Sequence, residues 1–438
     1  MRVLWVINRI LPLFCKELGV KETNFGGGWL TGLSETLRKT AQVQLAVCMP
    51  SAETDDICWG SVEGVEYYLY HDYGWSKYNE KHKELLKRVV DEFRPDVIHV
   101  FGTEYPRTLE VLDAVGRERV LISLTGILSE CYAVYEAGIP SKYTKQHKLL
   151  RFVASRHKKL FFLQNRLVAY GKNDFKIRAE YEAESLRKAK FVTGRTTFDR
   201  LAAKRLNPNV QYFFCNESLR TSFYEKPTWE YDNCEKHTLF VSNAGYPIKG
   251  FHKLLEAAAV LLKKYPDLKI RVAGNSPFAQ TRGLKNKLLC ATDEYGKYLR
   301  YLIKRSGLLS VVEFLGNLDE QRMKNEFLRS NVFVLPSRIE NSPNSLGEAM
   351  LLKTPCVASD VGGVSEMMKN GEEGLIYTFD DVEALTNAID KLFSDPAYAV
   401  KMGMAAAEHA AKTHCLRKNN ETMLGIYHEI MKINEKKG

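Results

Sequence analysis

Val332-Phe-Val-Leu-Pro-Ser-Arg-Ile-Glu-Asn-Ser-Pro-Asn-Ser-Leu-Gly-Glu-Ala-Met-Leu-Leu352 reads as a short buried strand, a loop with two prolines, and a helix. Ser342 is suited to cap that helix with Pro343 as its first residue, where a missing N–H costs nothing. The amides of Asn344 and Ser345 would then stand at the open end of the helix. Unladdered N–H groups together with the helix dipole make an anion site, and phosphate is its usual occupant. Glu340 lies just before the helix and Glu348 within it, so two carboxylates flank one anion site. A carboxylate is unfavourable beside a phosphate unless it accepts hydrogen bonds from hydroxyls, such as those of a sugar or ribose. A solvated helix residue and a loop charge are the plainer readings of the same two glutamates.

Outward from this segment the same strand-then-helix rhythm continues in both directions. Val97–Val100, Arg119–Ser123, Lys190–Thr193 and Val210–Phe214 read as strands of an N-terminal series, preceded by Arg2–Ile7. His237–Ser242, Leu268–Ala273, Val311–Leu315, Val332–Leu335 and Cys356–Ser359 form a C-terminal series. Alternation of this kind predicts an α/β protein built on largely parallel sheets. Phe251, Leu254, Leu255, Ala258, Leu261 and Leu262 recur at helical spacing and predict one buried helix face. Glu217–Lys236 is polar, contains Pro227 and lacks periodicity, so it separates the two series as a linker. At 438 residues the chain exceeds one ordinary core. The expected organisation is a first βα domain over 1–216, a linker over 217–236, a second βα domain over 237–415, and a final helix over 416–438. That helix is amphipathic through Met423, Ile426, Tyr427, Ile430 and Met431. Periodicity does not say whether it covers its own domain or packs back on the first.

Composition narrows the function classes. With 45% apolar and 26% charged residues the chain is globular. Its 63 basic and 53 acidic residues leave a net +10, which suits an acidic ligand or an anionic surface and does not of itself indicate nucleic acid. Nine cysteines occur with no C-x-x-C pair and no histidine cluster at metal-ligand spacing, a pattern expected of reduced thiols in a cytoplasmic protein. Asp55-Asp56 reads as a polar loop and Asp380-Asp381 as a helix start, so neither adjacent pair demands a metal. No apolar run approaches the roughly 18 to 20 residues that a spanning helix needs.

Two further stretches carry chemistry. In Val241-Ser-Asn-Ala-Gly-Tyr-Pro-Ile-Lys-Gly250 a strand ends, a Gly/Pro loop follows, and Lys249 stands before a helix, where it can meet a diphosphate as a point charge. G-x-x-x-x-G-K-[ST] is absent. In Asn24-Phe-Gly-Gly-Gly-Trp-Leu-Thr-Gly32 the run Gly26 to Gly28 allows a ligand to approach the backbone closely. The G-x-G-x-x-G dinucleotide pattern fails there because Thr31 holds its last glycine position.

With these residues quoted, the chain resembles the retaining glycosyltransferase family 4, of GT-B fold. Glu340 and Glu348 match its E-x7-E spacing, followed through Gly347-Glu-Ala-Met350. Tyr246-Pro-Ile-Lys-Gly250, Val272-Ala-Gly-Asn275, Phe314-Leu-Gly-Asn317, Asn331-Val-Phe-Val-Leu-Pro336 and Thr354-Pro-Cys-Val-Ala-Ser-Asp-Val-Gly-Gly363 agree with the surrounding pattern. The N-terminal half resembles it more loosely, through Gly26 to Gly28 and Pro95-Asp-Val-Ile-His-Val-Phe-Gly102. The resemblance implies two facing Rossmann-like domains with a central cleft, and transfer of a sugar from a nucleotide-diphosphate donor with retention. It implies no cofactor, no metal and no nucleic acid partner. It gives Glu348 the ribose hydroxyls, Glu340 the donor-sugar hydroxyls, and Lys249 the diphosphate, with Asn344 and Ser345 adding amides. Asn275, Asn317 and Leu318 would approach the base, and Gly27 and Gly28 the diphosphate from the other domain. His99 and Thr125 are its acceptor-side candidates.

Two departures stand against the pattern. Many members carry an arginine shortly before the glycine-proline loop, where this chain has Ser242-Asn243-Ala244. Members often carry a histidine where this chain has Thr125, and a buried, backbone-satisfied strand-end residue is an equal reading of His99. An inactive nucleotide-sugar-binding protein and a nucleotide-sugar epimerase of the same fold therefore stay beside the transferase. Members that build surface polysaccharide (capsule, exopolysaccharide or lipopolysaccharide) use saccharide or lipid-linked acceptors. Lys158, Lys159, Arg166, Lys172, Lys176 and Arg178, interleaved with Phe161 and Phe162, would suit an anionic membrane at the inner face of the plasma membrane, or simply a solvated helix face.

Overall fold

The computed structural model describes residues 1–20, 28–38, 40, 43–74, 77–143, 171–274 and 294–436. The expectations on Gly27, Asn275, Lys158, Lys159 and Arg166 lie outside these residues. Contacts group the chain into two compact units. The first is Met1–Ser129 with Lys176–Arg220 and Thr413–Gly438; the second is Glu130–Phe175 with Thr221–Lys412. Sequence alone had drawn the first domain as one stretch over 1–216. The structure assigns Glu130–Phe175 to the second unit instead, where Tyr143 stacks on Tyr298 at 4.9 Å between ring centroids.

The first unit is built on one sheet. Its strands are β1 (Arg2–Val6), β2 (Gln44–Ser51), β3 (Cys58–Val62), β4 (Val65–His71), β5 (Val97–Phe101), β6 (Val120–Ser123), β7 (Phe191–Gly194) and β8 (Gln211–Phe214). They lie in the order β3-β4-β2-β1-β5-β6-β7-β8. All pairs are parallel except β3 with β4, a hairpin turned by Glu63 and Gly64 at φ 50° and 80°. Period-2 alternation splits the strand residues between two cores: Leu4 and Val6 join one, Val3 and Trp5 the other. The last helix, Leu416–Glu435, covers the second of these through Met423, Ile426, Tyr427 and Ile430.

The second unit carries β9 (Glu235–Val241), β10 (Lys269–Ala273), β11 (Val312–Gly316), β12 (Ser330–Leu335), β13 (Cys356–Ser359) and β14 (Leu375–Tyr377), all parallel, in the order β11-β10-β9-β12-β13-β14. Leu239, Val241, Val332 and Val334 face a core closed by helix Phe251–Lys264 and helix Val382–Ser394. Phe240 and Phe333 point the other way and meet Phe327 of helix Glu320–Arg329 at 5.0 Å between centroids in each case. From β9 the chain steps through β10 to β11 in one direction; from β12 it steps through β13 to β14 in the other. The strand order therefore reverses between β9 and β12. In open α/β sheets ligands bind at the carboxyl ends of the strands at such a switch point.

Candidate functional site

The loops leaving β9 and β12 are locked together at their backbones. The Arg338 N–H donates to the Ile248 carbonyl at 2.7 Å. Gly250, at φ 66°, takes the left-handed region that glycine tolerates. A Cβ there would overlap the Pro336 carbonyl oxygen and stand 2.7 Å from its carbon. The loop after β12 has two further anchors: the Ser359 hydroxyl donates to the Ser337 carbonyl, and the Gly363 N–H donates to the Glu340 carbonyl at 3.3 Å. Residues 336–340 are thus tied to the elements on either side of β12.

This frame brings Lys249 and Glu340 together across 91 residues of sequence. The ammonium donates to Glu340 Oε1 at 2.6 Å, and the Ser337 hydroxyl donates to the same oxygen at 2.6 Å. Their side chains are 19% and 11% exposed, so the pair is largely enclosed but still reachable. Burial by itself would lower the pKa of Lys249; the Glu340 charge beside it outweighs burial and holds the ammonium above its usual range. Oε1 is occupied twice, while Oε2 accepts no hydrogen bond from the described residues. That leaves one carboxylate oxygen for a hydroxyl brought by a ligand.

The helix that follows runs Asn344–Leu351, with Pro343 as its N-cap at φ −70° and ψ 113°. It begins one residue later than Ser342 capping would give. The Ser342 hydroxyl is turned instead to Met367 Sδ at 3.3 Å. Asn344 and Ser345 remain the first two helical residues, ahead of the first backbone bond, from Leu346 N–H to the Pro343 carbonyl at 2.9 Å. Glu348 sits in this helix and is buried. Asn317 follows β11 and is exposed, whereas Leu318 is buried.

In the first unit the expected residues have different surroundings. His99, in β5, is fully buried, with Nδ1 against the Tyr427 hydroxyl and Nε2 against the Ser123 hydroxyl, each at 2.7 Å. Burial holds its pKa well below the usual histidine value. With both nitrogens engaged in the core, His99 has none left for an acceptor and instead ties β5 to the last helix. Thr125, half-buried after β6, donates to Glu104 Oε1; Glu104 follows β5. Gly28 opens helix Gly28–Arg38. The polar pairs read as structural are so placed: Asp56 bonds Arg88 at 2.7 Å, and Asp381 caps helix Val382–Ser394 by accepting from the Ala384 N–H at 2.8 Å.

Comparison with known proteins meets this geometry in the second unit. Residues 226–409, which contain Lys249, Arg338, Glu340 and Glu348, match the family glycosyl transferases group 1. Over these residues, under half of the chain, the sequence is similar to that family. Among curated proteins similar to this chain, a D-inositol 3-phosphate glycosyltransferase of Corynebacterium urealyticum is 30% identical over 170 residues, 38% of this chain and 37% of that protein. A lipopolysaccharide core biosynthesis mannosyltransferase of Rhizobium leguminosarum is 33% identical over 126 residues, 29% of this chain and 35% of that protein. The matches span roughly two fifths or less of the length of these relatives. Among solved structures, sucrose-phosphate synthase of Thermosynechococcus elongatus superposes with a TM-score of 0.70 at 16% identity, covering 99% of both chains. HepE of Anabaena, solved with UDP and glucose, gives 0.64 at 15% identity, covering 98% of this chain and 100% of that one. The chain therefore has the GT-B fold, as the resemblance implied.

Proposed function

We propose that this protein is a retaining glycosyltransferase that moves a sugar from a nucleotide-diphosphate donor to an acceptor hydroxyl without a metal, in the synthesis of a surface polysaccharide. The observation that carries this reading is the Lys249–Glu340 pair at the switch point of the second sheet, directly before the N-terminus of helix Asn344–Leu351. In the reaction the anomeric C–O bond to the diphosphate breaks and a bond to the acceptor oxygen forms on the same face. The acceptor's proton leaves with the nucleoside diphosphate. Negative charge grows on the departing phosphate, so the main catalytic need is fixed positive charge and amide donors near it. Lys249 and the amides of Asn344 and Ser345 supply them. Glu340 keeps Oε2 for a donor-sugar hydroxyl, and Glu348 accepts from the ribose.

Relatives named as inositol-phosphate and lipopolysaccharide glycosyltransferases, and a neighbour solved with UDP and glucose, support a nucleotide-sugar donor and a saccharide or lipid-linked acceptor. Among the described residues no helix is long and apolar enough to cross a membrane.

The test begins with a thermal-shift screen of nucleotide sugars, since a bound donor stabilises by mass action. The stabilising donor is then incubated with candidate acceptors. Release of nucleoside diphosphate that depends on acceptor, with the donor's anomeric configuration kept in the product by NMR, is the expected result. A changed sugar on intact donor would instead show epimerisation, and tight binding without turnover an inactive binder.

A further inference from the structure

The cations around the β9 and β12 loops are not equivalent. Lys249 is shared with Glu340 at 2.6 Å, so part of its charge is already offset. Lys253 lies 3.6 Å from both Glu256 and Asp380. Arg338, two residues before Glu340, has no carboxylate partner among the described residues. Its guanidinium lies over the Phe379 ring at 5.0 Å from the centroid. Its Nε is enclosed yet makes no hydrogen bond. Phe379 is the ring that a Cβ on Gly250 would meet at 2.9 Å, and the Arg338 N–H holds the carbonyl of Ile248. The guanidinium and the Lys249 turn are therefore mounted on the same support. A guanidinium stacked on an aromatic face, charged at any working pH and lacking a carboxylate, is suited to grip phosphate oxygens in pairs. An enclosed donor without a partner is rare in a folded protein.

We infer that Arg338 supplies the uncompensated positive charge that holds the diphosphate of the donor, while Lys249 remains shared with Glu340. The inference rests on the donor reading above and adds a residue that neither motif nor spacing marks. Calorimetric titration of the full chain with UDP and with GDP tests it, using wild type, Arg338→Ala, Arg338→Lys and Lys253→Ala. Arg338→Ala should weaken the better-bound diphosphate by about 10- to 100-fold, the span of one or two charge-assisted hydrogen bonds. Arg338→Lys should recover part of the loss by keeping the charge. Lys253→Ala, which removes a cation already paired, should change affinity by less than about threefold. The inference is overturned if Arg338→Ala or, where that variant fails to fold, Arg338→Lys binds as wild type does. It is also overturned if Lys253→Ala loses as much as Arg338→Ala, because the effect would then be a general loss of charge. If wild type binds neither diphosphate, the donor reading itself fails and this inference with it.

Discussion

Gly250→Ala separates the seating of the Lys249 turn from the general stability of the second unit. The added Cβ would overlap the Pro336 carbonyl oxygen and stand 2.7 Å from its carbon, where ordinary contact begins at 3.4 Å, so the two loops must part by more than the roughly 0.7 Å that the carbon alone demands. The bond from Arg338 N–H to the Ile248 carbonyl, now 2.7 Å, would be stretched or broken. Three contributions set the cost. A left-handed alanine costs about 1–2 kcal/mol. A stiffer unfolded chain returns about 0.4–1 kcal/mol. Overpacking adds about 1–3 kcal/mol. The net loss is roughly 2–4 kcal/mol. Gly371 provides the control: its φ of 79° is as strained, but nothing lies within 4 Å of its Cβ position. Gly371→Ala should therefore cost only about 1 kcal/mol. Calorimetric melting should show the Gly250 variant falling by about 4–16 °C and the Gly371 variant by about 2–4 °C, given the slope for a domain of this size. Diphosphate affinity should fall in the first and hold in the second. Equal melting losses in the two variants, within about 0.5 kcal/mol, would refute the close approach of the loops on which the site depends.

Other outcomes follow from the same geometry. Glu348→Gln should weaken donor binding by about tenfold, the worth of a charge-assisted bond to the ribose, with melting unchanged; unaltered donor affinity would remove Glu348 from the site. Glu340→Gln should lower turnover by about 100-fold or more, and it should reduce affinity for the bare diphosphate far less than for the sugar nucleotide, a contrast that parallel titrations would show. EDTA should leave turnover within about twofold, since the charge on the leaving phosphate is met by Lys249, Arg338 and amides; loss restored by magnesium would count against the metal-free reading. Burial keeps His99 neutral well below its usual pKa, and burial with the nearby Lys253 charge brings His252 down to about 3. Below about pH 6.5 the unfolded chain takes up protons that these folded imidazoles refuse, so stability present above that pH is lost as pH falls. At pH 5 the His252 contribution should fall by about 2 kcal/mol, and His99→Gln should flatten the acid limb of urea unfolding for the first unit. An acid limb identical to wild type would show that His99 does protonate in the fold.

The strands most plainly written in the sequence are those whose apolar runs stand alone, such as β5, β12 and β13. The β3–β4 hairpin was harder to read because β3 buries little, with Trp59 63% exposed, although Val62-Glu-Gly-Val65 is a recognisable tight turn. Lys249, Glu340 and Glu348 were legible because each sits at a fixed offset from a strand end or helix start. The helix start itself was misplaced by one residue. Ser342 has a capping residue's chemistry, but the extended backbone of Pro343 puts the N-cap there and turns the hydroxyl to Met367. His99 was open to either reading, since its burial depends on Tyr427, 328 residues further along the chain. Arg338 carried no signal at all: its distinction is the lack of a carboxylate partner among the described residues, and only packing reveals that.

What sequence spacing could not supply is the meeting of Lys249 with Glu340, and strand order supplies it. Neighbouring strands lie about 4.8 Å apart, so loops leaving adjacent parallel strands can share a salt bridge, while one intervening strand would double the gap. β9 and β12 are adjacent, with Leu239 opposite Val332 and Phe240 opposite Phe333. Because the chain then steps away from them in opposite directions with right-handed crossovers, their following helices lie on opposite faces of the sheet. The Lys249 turn and the helix N-terminus at Asn344 therefore approach one point from the two faces. Cation and carboxylate meet there by topology, and the remaining freedom, how closely the loops pack, is limited by the missing side chain of Gly250.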